Sequence, residues 1–360
     1  MKKIGWFLLF IIAIFFSKPL WEEHAAQYVD LSFLAPVDKW VDSLEVDRYL
    51  NEAKAYWLEI NEEPTTKISS NEEATSGSGI KLDQITIGMK KSEIEKLYGT
   101  AKRVSMNEYN LVWHTYHENY QNFMMISYDK SNTVNAMFTN QPSPSSFLGV
   151  DIDSTRNEVH TVLGEPLSKL KKGNIVYILP EKGEYDLFLI DDSYVTIFYD
   201  VHENNTITAI QIVKMSVEKN HTSTFGTPSE ELTAGFEYQL FDLTNATRVS
   251  HGLSILTYDE STSETARKHS TDMATYNYFS HENLKGKSPF DRLAEDGLKF
   301  TYAGENLAYG QASSIFAHEG LMNSIGHRNN ILSTDYTFLG VGTAFNKENT
   351  PYYTENFYSK

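Results

Sequence analysis

The 360-residue sequence contains no cysteine. Disulfides, a thiolate metal site, a catalytic thiol and a lipid-modified cysteine anchor are all excluded, so packing alone must hold the fold. Positive charge is also in deficit: 31 Lys and Arg face 48 Asp and Glu, with no clustered basic run. Phosphate backbones need such clusters, which removes DNA and RNA as partners. No apolar run reaches the roughly 20 residues of a membrane-spanning helix. The run from Ile4 to Phe16 has 13 residues and follows Met1-Lys2-Lys3. That is the basic flank and apolar core of an export signal. No small-x-small cleavage site follows directly, the first small pair being Ala25-Ala26. A cleaved signal peptide and an uncleaved anchor therefore both fit residues 1–19.

The length allows two domains, each with its own core. In residues 20–60, Tyr28, Leu31, Leu34, Val37, Trp40, Val41 and Leu44 recur at mostly helical intervals among acids. They predict a helical stalk, packed either on a partner near a membrane or on the following domain. Residues 61–79 are nearly free of apolar side chains and read as a linker. Residues 80–215 hold a degenerate repeat: Ser92 to Gly99 and Ser154 to Gly164 each read as a short helix with a capping Ser and a terminating Gly. Strand-like runs follow both, among them Leu111 to Tyr116, Phe123 to Tyr128, Tyr185 to Ile190 and Thr206 to Val213. The expectation is a duplicated unit of helix plus antiparallel sheet, with its histidines in structural roles. Residues 216–230, with Gly226 and Pro228, read as a second linker.

Residues 231–360 open with a helix to His251 and a second helix capped by Asp259, on which Ala266, His269, Met273 and Tyr276 share one stripe. His269 is expected as a hydrogen-bonded core residue. A short helix from Pro289 to Glu295, a strand from Ala303 to Ala308, a helix from Ser313 or Ser314 to Ser324, and a strand pair from Phe338 to Phe345 and Tyr352 to Tyr358 complete the domain. Three short segments carry side chains that bind metals or move protons near neutrality: Phe279-Ser280-His281, Gly304-Glu305-Asn306 and Gly326-His327-Arg328.

From about Leu240 to Lys360 these motifs, together with Asn245-Ala246-Thr247-Arg248, Ser288-Pro289-Phe290-Asp291-Arg292-Leu293, Asn330-Ile331-Leu332 and Tyr353-Thr354-Glu355-Asn356-Phe357, occur in an order that resembles the CAP superfamily. That superfamily comprises cysteine-rich secretory proteins, antigen 5 and pathogenesis-related proteins, and the match is to its bacterial SCP-like branch. The repeat resembles the CAP-associated N-terminal domain. The fold class expected is α+β: a C-terminal three-layer αβα CAP sandwich preceded by the duplicated domain.

The resemblance implies a cleft lined by two histidines and two glutamates, the histidines holding a divalent metal, commonly zinc, in several members. His281 and His327 match the histidines and Glu305 matches one glutamate. The second glutamate position is Ser324, and the tryptophan that precedes it in the family is Leu321. His318, Glu319 or Glu282 could supply the missing acid or ligand. Two readings of the triplet stay open: a ligand cleft, or a buried network in which a carboxylate bridges two imidazoles. Arg292 and Arg328 read as structural partners of acids or carbonyls. Family members bind lipids or sterols or act in extracellular signalling, without a common enzymatic activity. The expected function is an exported protein that binds an extracellular lipid, cell-wall component or protein, with the membrane reached through the N-terminal segment. The alternative is a metal-dependent hydrolase using Glu305 as general base.

Overall fold

A computed structural model describes residues 80–141, 147–172, 175–179, 183–221 and 223–360. The signal or anchor, the stalk and the first linker lie outside the described residues, which all belong to one compact unit.

The first half begins with the small hairpin β1 (Lys81–Leu82) and β2 (Ile85–Thr86), then helix α1 (Lys91–Tyr98). Strands β3 (Arg103–Met106), β4 (Val112–Glu118), β5 (Gln121–Tyr128) and β6 (Val134–Thr139) follow. Helix α2 (Arg156–Leu163), the hairpin β7 (Lys169–Lys172) and β8 (Ile175–Ile178), and strands β9 (Tyr185–Ile190), β10 (Ser193–Asp200) and β11 (Thr206–Lys214) make the second half. Both helices end at a glycine with positive φ, Gly99 and Gly164, where a side chain would be strained. The caps differ from those expected. Thr155, not Ser154, accepts from the Glu158 amide, and at α1 the Lys90 amide donates to Glu93 at 2.9 Å, leaving Ser92 inside the helix.

The strands of the two halves do not form separate sheets. They join in one antiparallel sheet of seven, ordered β3-β4-β5-β6-β11-β10-β9, through the β6–β11 pairing that sets Met137 opposite Ile212. Alternation along these strands sends Met137, Ile197 and Ile212 to the face that packs with Ile94 of α1 and Val159 of α2. The other face, with Trp113, Phe138, Phe198 and Ala209, shares a core with Leu243, Ala246 and Ile315 of the last domain. A sheet covered on both sides explains why its strands read as nearly continuous apolar runs.

Helix α3 (Met215–Asn220) stands at the start of what reads as the second linker. Its Glu218 is buried, accepts from Tyr109 Oη at 2.6 Å and pairs with Lys172. Helices α4 (Glu230–Ser250) and α5 (Glu260–Tyr276) come next, capped by Ser229 and Asp259, with strand β12 (Thr257–Tyr258) between them. Then come α6 (Pro289–Glu295), β13 (Tyr302–Tyr309), α7 (Ser314–Asn323), α8 (Ile325–Ile331), β14 (Phe338–Phe345) and β15 (Pro351–Ser359). The sheet order is β12-β14-β15-β13, with β12 parallel to β14 and the other pairings antiparallel. Helix α5 packs on β14 and β15, while α4 packs on β14 and on β3 of the first half.

Polar ties reinforce the shared core. Arg103 on β3 donates to the buried Asp242 of α4 at 2.8 Å, and Tyr120 Oη donates to the same carboxylate at 3.0 Å. Within the last domain, Asn245 closes the turn after α4 by accepting from the Leu256 amide at 2.7 Å and donating to its carbonyl at 3.1 Å. Arg248, one turn on, donates to the carbonyls of Ile331 and Ser333, both at 2.7 Å. Asn245→Ala strands both buried backbone groups and should lower unfolding free energy by about 2–3 kcal/mol, read from urea titration.

Candidate functional site

Strand β13 carries Glu305 in the middle of its length, and α6 lies against the same strand. The Glu305 side chain is 1% exposed, and both of its oxygens are held. Arg292 of α6 donates to Oε2 at 2.5 Å, and His281 Nδ1 lies 2.9 Å from Oε1. Arg292 also donates to the carbonyls of His281 and Lys287, at 2.8 and 3.0 Å, so it fixes the loop that carries His281 as well as the carboxylate. Ser288 and Pro289 start α6 with a capping box and a preset φ, which aims Arg292 inward from its last turn.

A carboxylate engaged by arginine offers only acceptors, so Nδ1 of His281 carries the hydrogen and Nε2 is the nitrogen left for a ligand. The His281 side chain is 54% exposed. This is a surface imidazole oriented by a buried anion, not a member of a sealed network. His327, on α8, is partly buried, and its pKa is lowered by burial first and by the nearby His281 second. The two imidazoles are therefore electrostatic neighbours.

Beneath them lies a buried polar layer. Asn306 donates to the His327 carbonyl at 3.2 Å and to Glu355 at 3.0 Å, while Asn330 donates to Asn306 Oδ1 at 2.9 Å. Glu355, wholly enclosed, also accepts from Thr244 at 2.9 Å, and burial pushes its pKa up to about 7. An unfolded glutamate releases its proton near 4.3, so the folded chain binds more protons between these values and loses stability as pH rises through them. His318 and His327, held neutral by burial, oppose this only below about pH 6.5, the unfolded histidine value. Melting temperature should therefore fall from about pH 6.5 to about pH 8, and Glu355→Gln should flatten part of that slope. Glu319, raised to about 7, and Glu108, raised to about 8, contribute with the same sign, as do Glu184 and Asp242, all raised by burial.

Two expected cleft residues, His318 and Glu319, lie elsewhere. His318 is 1% exposed and bonds Thr247 Oγ1 at 2.7 Å, and burial pushes its pKa down to about 3. Glu319 is buried against the seven-stranded sheet, where Thr208 donates to it at 2.7 Å. Helix α7 packs on α4 and touches β10, so His318 is held by α4 and Glu319 by the seven-stranded sheet. Ser324 is the hinge between α7 and α8, and its carbonyl accepts from the Arg328 amide at 2.8 Å. Glu282 is exposed, and its amide donates to Ser280 Oγ at 3.2 Å. Arg328 pairs with Asp200 at 2.7 Å and Glu203 at 3.3 Å, acids at the β10–β11 turn of the seven-stranded sheet. Glu355 and Arg292 are the contributors that sequence motifs underrated, although Arg292 does pair with an acid and carbonyls.

These features define an α+β protein whose last domain presents an imidazole on a buried Glu–Arg pair. A family model described as CAP-associated N-terminal matches residues 87–224, and one described as the cysteine-rich secretory protein family matches residues 241–357. The curated relative "Uncharacterized membrane protein YlbC" of Bacillus subtilis is 30% identical over 317 residues, covering 80% of this chain and 88% of its own. "Uncharacterized protein YkwD" of the same organism is 39% identical over 145 residues, 40% of this chain and 54% of its own. Among solved structures, an extracellular SCP-domain protein of Bacillus anthracis superposes with a TM-score of 0.65 at 24% identity, over 83% of this chain and 99% of that one. A cysteine-rich secretory protein of Staphylococcus aureus gives 0.60 at 16%, over 76% and 94%. The chain belongs to the CAP family, in its bacterial form with a CAP-associated N-terminal domain.

Proposed function

We propose that this protein is exported, stays at the outer face of the cytoplasmic membrane through its N-terminal segment, and binds a cell-wall glycan through the His281–His327 face of its CAP domain. The carrying observation is the apolar surface on the segments that bear the imidazoles. Phe279 and Tyr309 are 50% and 45% exposed, and their rings lie 5.8 Å apart. Phe279 stands two residues before His281, and Tyr309 ends the strand of Glu305. Ile325, two residues before His327, is 58% exposed, and Tyr302 at the other end of β13 is 53% exposed. Exposed rings beside hydrogen-bonding imidazoles suit the alternating apolar and hydroxyl surfaces of a sugar polymer. The name of the YlbC relative and the extracellular SCP-domain protein support the location. Among the described residues no helix is long and apolar enough to cross a membrane.

A metal-dependent hydrolase finds less support. Zinc centres usually take three protein ligands. Among the described residues no group of three His, Asp or Glu side chains could hold a metal, and both Glu305 oxygens are engaged. His281 and His327 alone are one ligand short, and each Glu305 oxygen already has a partner, His281 at Oε1 and Arg292 at Oε2, which leaves Glu305 poorly placed as a general base. The test is co-sedimentation of the full chain with purified cell-wall sacculi. Phe279→Ala and His281→Ala should each cut the bound fraction by about fivefold or more, with circular dichroism unchanged. Equal sedimentation of all three proteins would remove the proposal.

A further inference from the structure

The two imidazoles of the proposed glycan face are held in different ways. His281 Nδ1 is fixed by the Glu305 carboxylate at 2.9 Å. The His327 ring makes no hydrogen bond among the described residues, so the placement of α8 decides where it points. That helix is a weak support by itself. It has seven residues, and the extended Ser324 before it supplies no side-chain cap. Two turns of helix are marginal in water and take their stability from what they pack on.

On one side α8 rests on β13, where Asn330 donates to Asn306 Oδ1 at 2.9 Å and to the Glu305 carbonyl at 3.3 Å. On the other it is tied to the turn between β10 and β11, which lies within the CAP-associated N-terminal match. Arg328, its side chain 9% exposed, donates to Asp200 at 2.7 Å and to Glu203 at 3.3 Å. It directly follows His327, and successive helical residues point about 100° apart, so guanidinium and imidazole leave the same turn of helix in different directions. Asn323, the last residue of α7, accepts at Oδ1 from the Val201 amide at 3.0 Å and donates from Nδ2 to the Tyr199 carbonyl at 2.9 Å. Its own carbonyl accepts from His202 Nε2 at 3.0 Å. The β10–β11 turn therefore grips the chain on both sides of Ser324, at Asn323 before it and at Arg328 after it. A tie needed only for stability could fall anywhere along the join, as the one from Arg103 to Asp242 does. This one falls on the segment whose imidazole has no bond of its own.

We propose that the β10–β11 turn positions the glycan face: through Asn323 and Arg328 it fixes α8 and, with it, the His327 ring. Asn323 and Arg328 are positioning residues, and this role rests on the glycan-binding reading of that face. It gives the CAP-associated region a part in binding, although both imidazoles belong to the CAP match.

Asn323→Ala in the full chain tests this. Val201, His202 and Glu203 are exposed, so water can reach the turn that the variant releases, and the melting temperature should fall by no more than about 3 °C. Histidine-selective NMR of the ligand-free protein should show the His327 ring signals shifted or broadened, while those of the core His269 stay fixed. Affinity for soluble peptidoglycan fragments should fall by about fivefold. Arg103→Gln, which weakens the other tie, should leave the His327 signals and the fragment affinity unaltered. Unmoved His327 signals in Asn323→Ala, unchanged affinity when those signals do move, or an equal shift of His327 in Arg103→Gln would each overturn the positioning role. If the unaltered chain binds no fragments, the glycan reading falls, and the ligand-free spectra still decide whether the turn holds His327.

Discussion

Gly342→Ala should lower the melting temperature of the full chain by about 6–12 °C, equivalent to about 3 kcal/mol or more at the transition. A Cβ at this position would stand 2.0 Å from the Arg267 amide nitrogen, 2.3 Å from the Ala266 carbonyl carbon and 2.5 Å from Arg267 Cα. All three atoms are α5 backbone, so no side chain can rotate out of the way. The helix rests directly on β14, and Gly340 repeats the contact one pleat away, at 2.3 Å from the Ser263 nitrogen. Accommodating the methyl means lifting α5. That breaks the bond from Ser270 Oγ to the Gly342 carbonyl, 2.9 Å, and strains the bond from the Val341 amide to Ser263 Oγ, 3.1 Å. Thermal unfolding followed by circular dichroism reads the effect. A shift under about 2 °C would mean that helix and sheet are not in backbone contact.

Arg292→Met should cost about 3–5 kcal/mol, because it removes the cation from a buried carboxylate and leaves that carboxylate unpaired. The pair is enclosed, with side chains 9% and 1% exposed, so solvent screening does little to soften the loss. Two carbonyls, of His281 and Lys287, lose their donor in the same step. Adding Glu305→Gln to the variant should recover part of the loss, since a neutral amide no longer demands a cation. Urea denaturation of the two single variants and the double variant forms the cycle. Strict additivity would show that Arg292 acts through packing alone. The same variant should release the His281 loop and reduce sacculus binding, which links the stability of the pair to the cleft it orients.

The elements of the last domain are legible where a cap and a periodic stripe coincide. Asp259 and the stripe through Ala266, His269 and Met273 locate α5, and Ser288-Pro289 locates α6. His269 is the core histidine its position implies, 1% exposed and bonded to the Ser280 carbonyl at 3.0 Å. The meeting of His281 with Glu305 follows from motif order rather than from any local pattern. His318 and Glu319 could not be assigned the same way. Helix α7 is buried against α4 on one side and the seven-stranded sheet on another, and a helix apolar nearly all round has no stripe to show which face meets the cleft.

The single sheet was hidden for a related reason. Repeat signals are local, whereas the β6–β11 pairing joins Ala136 to Val213 across most of the domain. The buried polar role of Glu355 is not legible because β15 is buried on both faces, so an acid in it breaks no visible alternation. Helix α3 is not legible in the sequence because the Ser, Thr and Gly content of residues 216–230 masks the buried Glu218, whose partners Tyr109 and Lys172 are distant in sequence.

The central claim is that His281 and His327 present a ligand-binding face. Histidine-selective NMR of the full chain, titrated with soluble peptidoglycan fragments, tests it residue by residue. Saturable shifts should appear at the ring signals of His281 and His327, while the enclosed rings of His269 and His318 stay fixed. Shifts confined to other histidines, or none at fragment concentrations that saturate sacculus binding, would contradict the account and move the binding face elsewhere on the protein.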